Sequence, residues 1–169
     1  MIPLCTTAPP IVTTGNWWKK KELYIPYNSN GLLGASEKGQ DEIHKMSPPH
    51  HLNPSYLRWE LHRVWVVVAT RKAGKSHIYG KRVFYLDEDS WAVVATDIYD
   101  NAGQLWRIGF ANLLNAYDVP VTVIRATWHL DLQEGSYAVH ELDIEPIRFN
   151  QGKAEGFYTP AQVRKLSRR

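Results

Sequence analysis

Between residues 57 and 70 the chain reads LRWELHRVWVVVAT. Alternate positions form two sets. One is Trp59, Leu61, Arg63, Trp65, Val67 and Ala69; the other is Arg58, Glu60, His62, Val64, Val66 and Val68. Period two with many aromatic and β-branched residues predicts a strand. At about 14 residues it is far longer than the usual roughly 5–6. The tryptophan-bearing set has the larger apolar area, so that side is expected to face the core or a cavity. Arg63 lies on it, between aromatic and aliphatic neighbours.

The same pattern continues downstream. RKAGKS (71–76) is a turn, HIYGKRVFYL (77–86) a second strand and DEDS (87–90) a tight polar turn. WAVVATDIYD (91–100) is a third strand. NAG (101–103) suits a type I turn with Gly103 in the left-handed region, and QLWRIGFA (104–111) is a fourth strand. Four strands with short connections make an antiparallel meander. NLLNAYDVP (112–120) reads as a connection with a helical turn. VTVIRATWHLDL (121–132) and SYAVHEL (136–142) return as strands around QEG. Upstream, KELYIPY (21–27) is a short strand, and residues 1–18 are expected to be irregular. Residues 28–56 are broken by glycine and proline into a long loop with room for one or two helical turns. Near the end, Thr159 is placed to cap a short basic helix that starts at Pro160. The fold class is mainly β, and residues 19–169 are expected to form a single antiparallel domain.

Composition agrees: 169 residues, 44% hydrophobic and 12% aromatic, with seven tryptophans. A formal net charge of +3, split between WWKKK and the tail, forms no basic stripe, so nucleic acid is not an expected partner. Cys5 is the only cysteine, so neither an internal disulfide nor a multi-cysteine zinc site can form. No segment has the ~18 apolar residues of a membrane helix. The start of the chain lacks the basic and apolar regions of a signal peptide.

Candidate chemistry is sparse. His44, His50 and His51 share one loop but lack a presentation that converges ligands, so no metal site is expected there. His62 and His77 are expected to face each other across the first hairpin as a solvated cluster with Glu60 and Lys81. DEDS reads as a turn former. RKAGKS lacks the spacing of a phosphate loop, and no serine has a nucleophile context. No catalytic residues, metal ligands or cofactors are assigned, and the protein is expected not to be an enzyme. What remains is the apolar face with arginines in it. Arg82 stands beside Phe84 as Arg63 stands beside Trp65. An arginine there needs an intramolecular partner, a path to water or a ligand head group. The candidate ligand-binding residues are therefore Trp59, Leu61, Arg63, Trp65, Arg82 and Phe84.

Three segments carry a family resemblance: KKELYIPYN, HLNPSYLRWELHRVWVVVATRKAGKSHIYGKRVFYLDEDSWAVVATDIYDNAGQLWR and FYTPAQVRK. From about Trp18 to the end, the chain resembles the C-terminal third of an uncharacterised family of Gram-negative envelope proteins. Its members are about 450 residues long, begin with a signal peptide and are loosely termed outer-membrane lipoprotein-sorting proteins. Trp59 and Val68 stand where the family pattern has tyrosine and glutamate. The resemblance implies a curved antiparallel sheet, part of an unclosed half-barrel like the periplasmic lipoprotein carriers, with an apolar concave face. It also implies a location in the periplasm or at the periplasmic side of the outer membrane. The expected function is binding or transfer of a lipid or other hydrophobic small molecule on that face. The alternative is a structural module that meets other envelope proteins or associates with itself through an exposed sheet edge.

Overall fold

A computed structural model describes residues 13–33, 39–142, 148–154 and 156–167. Its framework is one seven-stranded antiparallel sheet in which spatial order equals chain order. The strands are β1 (Thr13–Pro26), β2 (Trp59–Arg71), β3 (Lys81–Asp87), β4 (Val93–Tyr99), β5 (Leu105–Ala116), β6 (Val121–Asp131) and β7 (Ser136–His140). The meander is as the alternation predicts, and the sheet does not close into a barrel. Gly103 closes the β4–β5 turn at φ 82°, which glycine adopts without a Cβ penalty.

Three boundaries differ from the sequence reading. β1 begins at Thr13, inside the segment expected to be irregular, and pairs with nearly all of β2. The lysines of KKK obscure its alternation, yet lysine is a common occupant of sheet edges, where β1 lies. β5 continues through Ala116, so residues 112–116 are strand and not a helical connection. β3 begins only at Lys81, which leaves residues 72–80 as a long loop.

The sheet curls. The end of β1 reaches across to β5, where Tyr27 bridges Leu113 and Asn28 N–H donates to the Leu113 carbonyl at 2.7 Å. Inside this curl pack Ile25, Tyr27, Val64, Val94 and Leu113. The core therefore lies on the Val64 face of β2, not on the tryptophan face as expected. Along β2 this inner side is filled by valine, while larger rings reach it from other elements, Tyr27 in this cluster and Trp128, which lies on the Val66 side through Tyr85, Ala95 and Phe110. A second cluster sits over β5–β7. There Leu32, Met46 and Leu52 of the β1–β2 connection cover Ala126 and Trp128, with Phe110, Leu130 and Val139 alongside. The connection contributes α1 (Gln40–Met46), which has Asp41 and Glu42 in its first turn and Lys45 in its last. So short a helix is marginal alone, and the burial of Met46 holds it in place. Another helix, α2 (Pro160–Leu166), is capped by the Thr159 side chain, which accepts from Gln162 N–H, and it buries no residue.

Candidate functional site

Strand register settles which side chains share a face. Trp65 stands opposite Leu86, Val67 opposite Phe84, and Ala69 opposite Arg82. Five of the six residues singled out from the sequence, Leu61, Arg63, Trp65, Arg82 and Phe84, therefore lie on the side away from the curl by register and strand alternation. Their environments differ along the strands. Trp59, Leu61 and Arg63 are exposed, Trp65 and Phe84 are half-buried, and Arg82 is buried. Trp59, the first residue of β2, instead turns its ring edge-on to Phe110 at 5.6 Å, and Phe110 belongs to the Val66 side through Tyr85 and Ala95.

Around these residues the outer face carries further aromatic and cationic groups. Tyr24 of β1 lies directly opposite Leu61, and both are largely exposed. Trp91, in the β3–β4 connection, stacks on Trp65 with ring centres 6.4 Å apart. The ammonium of Lys20 lies 4.3 Å over the Trp65 ring and also pairs with Glu88. Arg63 reaches the same Glu88 at 3.5 Å. The Arg63 guanidinium thus has an intramolecular partner at the rim of an exposed apolar strip. Such rim pairs stabilise little, and both cations keep hydrogens available for another anion. Further along the sheet, Arg107 donates from Nε to Asp131 at 2.9 Å and from Nη1 to the Tyr79 hydroxyl at 3.0 Å. Burial pushes the Asp131 pKa up, but Arg107 and the backbone N–H groups of Gln133 and Glu134 outweigh it. The net shift is downward, so Asp131 stays a carboxylate.

The inner side of the curl holds a polar group that the sequence reading missed. His62 does not meet His77. The long 72–80 loop carries His77 to the far end of the hairpin, where its ring packs 5.2 Å from Tyr79. His62 instead places Nδ1 2.9 Å from Asp87 Oδ1, and its Nε2 lies 3.7 Å from Glu60. The cluster is not solvated: Asp87 is fully buried, and the His62 side chain is 12% exposed. Asp87 Oδ2 accepts from Ser90 N–H at 2.9 Å and from the Ser90 hydroxyl at 2.6 Å. DEDS is thus a turn former, as expected, and also the partner of a strand histidine. Tyr27 lies over the imidazole with ring centres 4.4 Å apart, and its hydroxyl donates to Asn115. Burial, together with the charges of Asp87 and Asp89, raises the Tyr27 pKa against the opposing hydrogen bonds from Thr122 and Asn115. Glu60 is held by Asn28 Nδ2 at 3.1 Å and Arg58 Nε at 3.3 Å. The loop histidines His50 and His51 instead contact the carbonyls of Gly135 and Pro49.

The chain is 43% identical over 153 residues to an uncharacterized protein of Pseudomonas aeruginosa; the match covers 87% of this chain and 33% of that relative. It therefore spans about a third of the curated relative's length. Two solved structures are similar at lower identity. One is a DUF1329 family protein from Desulfovibrio piger, with 18% identity, a TM-score of 0.44, and coverage of 59% of this chain and 40% of that one. The other is a Vibrio parahaemolyticus domain whose name assigns it to outer membrane lipoprotein sorting. It has 20% identity, a TM-score of 0.45, and coverage of 64% of this chain and 43% of that one. Residues 16–164 match the family described as protein of unknown function (DUF1329), and the chain belongs to that family.

Proposed function

We propose that this chain is a non-enzymatic binding module of the cell envelope. It holds a lipid-like or other hydrophobic ligand against the outer face of β1, β2 and β3. The observation that carries this reading is the strip formed by Tyr24, Trp59 and Leu61, exposed on adjacent strands and continued by the Trp65–Trp91 stack. Apolar side chains clustered on a surface cost free energy until something covers them. Lys20 and Arg63 at the rim suit an anionic or ester head group. Arg82 is buried and Phe84 half-covered, and the register sets them opposite Ala69 and Val67, beyond the Trp65 end of the strip rather than in it.

A second reading rests on a different observation. β1 is a 14-residue edge strand that bridges β5 only at its end. An edge of that length is a template for pairing with another envelope protein or a second copy of this chain.

Solvent extraction of the purified protein, followed by mass spectrometry and titration with a fluorescent fatty acid, separates the two. The binding reading expects co-purifying acyl chains and saturable uptake that quenches tryptophan emission. A lipid-free protein that takes up no fatty acid and self-associates on light scattering would replace it with the edge-pairing reading.

A further inference from the structure

The geometry points to a second site, independent of the outer strip. It is a binding site for one divalent metal ion of the zinc type, made by His62 Nδ1, Asp87 and Asp89. Ligand atoms of these three residues all lie within 4.8 Å of one another. Zinc takes nitrogen and oxygen ligands at about 2.0–2.1 Å, so tetrahedral neighbours stand about 3.3 Å apart. The 2.9 Å separation of His62 Nδ1 and Asp87 Oδ1 needs to open by only a few tenths of an ångström. The metal then takes the place of that hydrogen bond, and the metal-bound imidazole carries its single proton on Nε2, toward Glu60. Asp89 sits in the exposed part of the turn and can swing a carboxylate inward; water completes the coordination.

Two further features favour a metal over a simple hydrogen bond. The first is charge. Asp87 is fully buried, and among the described residues its only ion-pair partner is His62. A dication with Asp87 and Asp89 is neutral, while Glu60 is already balanced by Arg58. The second is the outer shell. Metal-binding histidines usually direct the other ring nitrogen to a carboxylate. His62 Nε2 faces Glu60 at 3.7 Å, and Asn28 and Arg58 fix that carboxylate in turn. The ion would fasten β2 to the β3–β4 turn. The chain just after this turn carries Trp91, stacked on Trp65, so occupancy is expected to change tryptophan emission.

The test is equilibrium dialysis of Zn²⁺ against the full chain at neutral pH, with circular dichroism to check the fold of each variant. The parent is expected to bind one ion. Asp89→Asn, a change at an exposed position, is expected to weaken binding at least tenfold, and Glu60→Gln about tenfold. His50→Ala with His51→Ala is expected to bind like the parent. Substitution with Co²⁺ is expected to give a spectrum without thiolate charge transfer, which excludes Cys5. The proposal is overturned if the parent binds no zinc, if Asp89→Asn binds as tightly as the parent, if the loss of His50 and His51 abolishes binding, or if the cobalt spectrum shows a thiolate.

Discussion

The two faces of β2 invert the usual relation between side-chain size and burial. Val64 and Val66 are almost wholly enclosed, whereas Leu61 on the opposite face is 54% exposed and Trp59 at the start of the strand 41%. The strand thus hides its smaller apolar side chains and shows its larger ones. The cause is the curl that brings Tyr27 to Leu113. Tyr27 and Leu113 already fill the space over Val64, so β2 contributes only small apolar side chains there. Total apolar area is therefore a poor guide to the buried side of a strongly curved sheet. A large apolar face left outside the curl is better explained by something that covers it than by the core.

Val64→Asp should produce the largest effect. Val64 touches β1, β4 and β5 residues in one cluster and has no exposed surface. A carboxylate there has neither water nor a cation. The loss should reach at least about 4 kcal/mol, enough to leave a typical domain largely unfolded. Urea denaturation measures it. A variant that unfolds cooperatively near the parent's midpoint would show that the Val64 face is not the core.

Much of this fold could be read from the sequence because its signals are local. Alternation and turn chemistry locate β2, β4 and β6, the turns at 87–90 and 101–103, and the Thr159 cap. What escaped reading depends on partners distant in sequence. Which face of β2 is buried is decided by the contact of β1 with β5. His62 meets Asp87, and not His77, because the register pairs Val64 with Asp87 and Thr70 with Lys81. A residue count across the hairpin cannot supply that register when the loop length is unknown. Five of the six candidate residues share one face, because strand period and register fix that together, whereas Trp59 at the start of β2 turns in to Phe110. Their differing exposure was not legible, since it depends on how tightly the sheet coils at each point.

The outer face is not open everywhere, and Gly109→Ala tests where it closes. On that side of β4–β6, a Cβ on Gly109 would lie 2.8 Å from both the Thr96 hydroxyl and His129 Cδ2. Thr96 is buried, and with both neighbours at that distance the space there is already filled. The added methyl must displace the imidazole or the strand, at a cost of about 1–3 kcal/mol. Thermal denaturation reads the loss. A neutral result would mean that the outer face over β5 is as accommodating as it is over β1 and β2, and the contrast along the sheet would vanish.

The smallest change in stability is expected at Leu61, where the contrast between the faces is sharpest. Leu61→Thr keeps a strand-favouring, β-branched residue but removes part of the apolar strip. Leu61 is a cleaner probe than Trp59, whose ring also packs on Phe110 and so carries a structural share. Because Leu61 is more than half exposed, little packing is lost, and stability should stay within about 0.5 kcal/mol of the parent. A ligand lying along Tyr24, Leu61 and Trp59 would lose its central contact. Covering a leucine contributes roughly 1.5–3 kcal/mol, so fatty-acid affinity should fall about tenfold or more. The two measurements together distinguish the roles of the faces. If Leu61→Thr destabilises the fold by more than 1 kcal/mol, Leu61 is part of the packing and the outer strip is not free. If stability and fatty-acid affinity are both unchanged, the ligand lies elsewhere and the strip serves another partner.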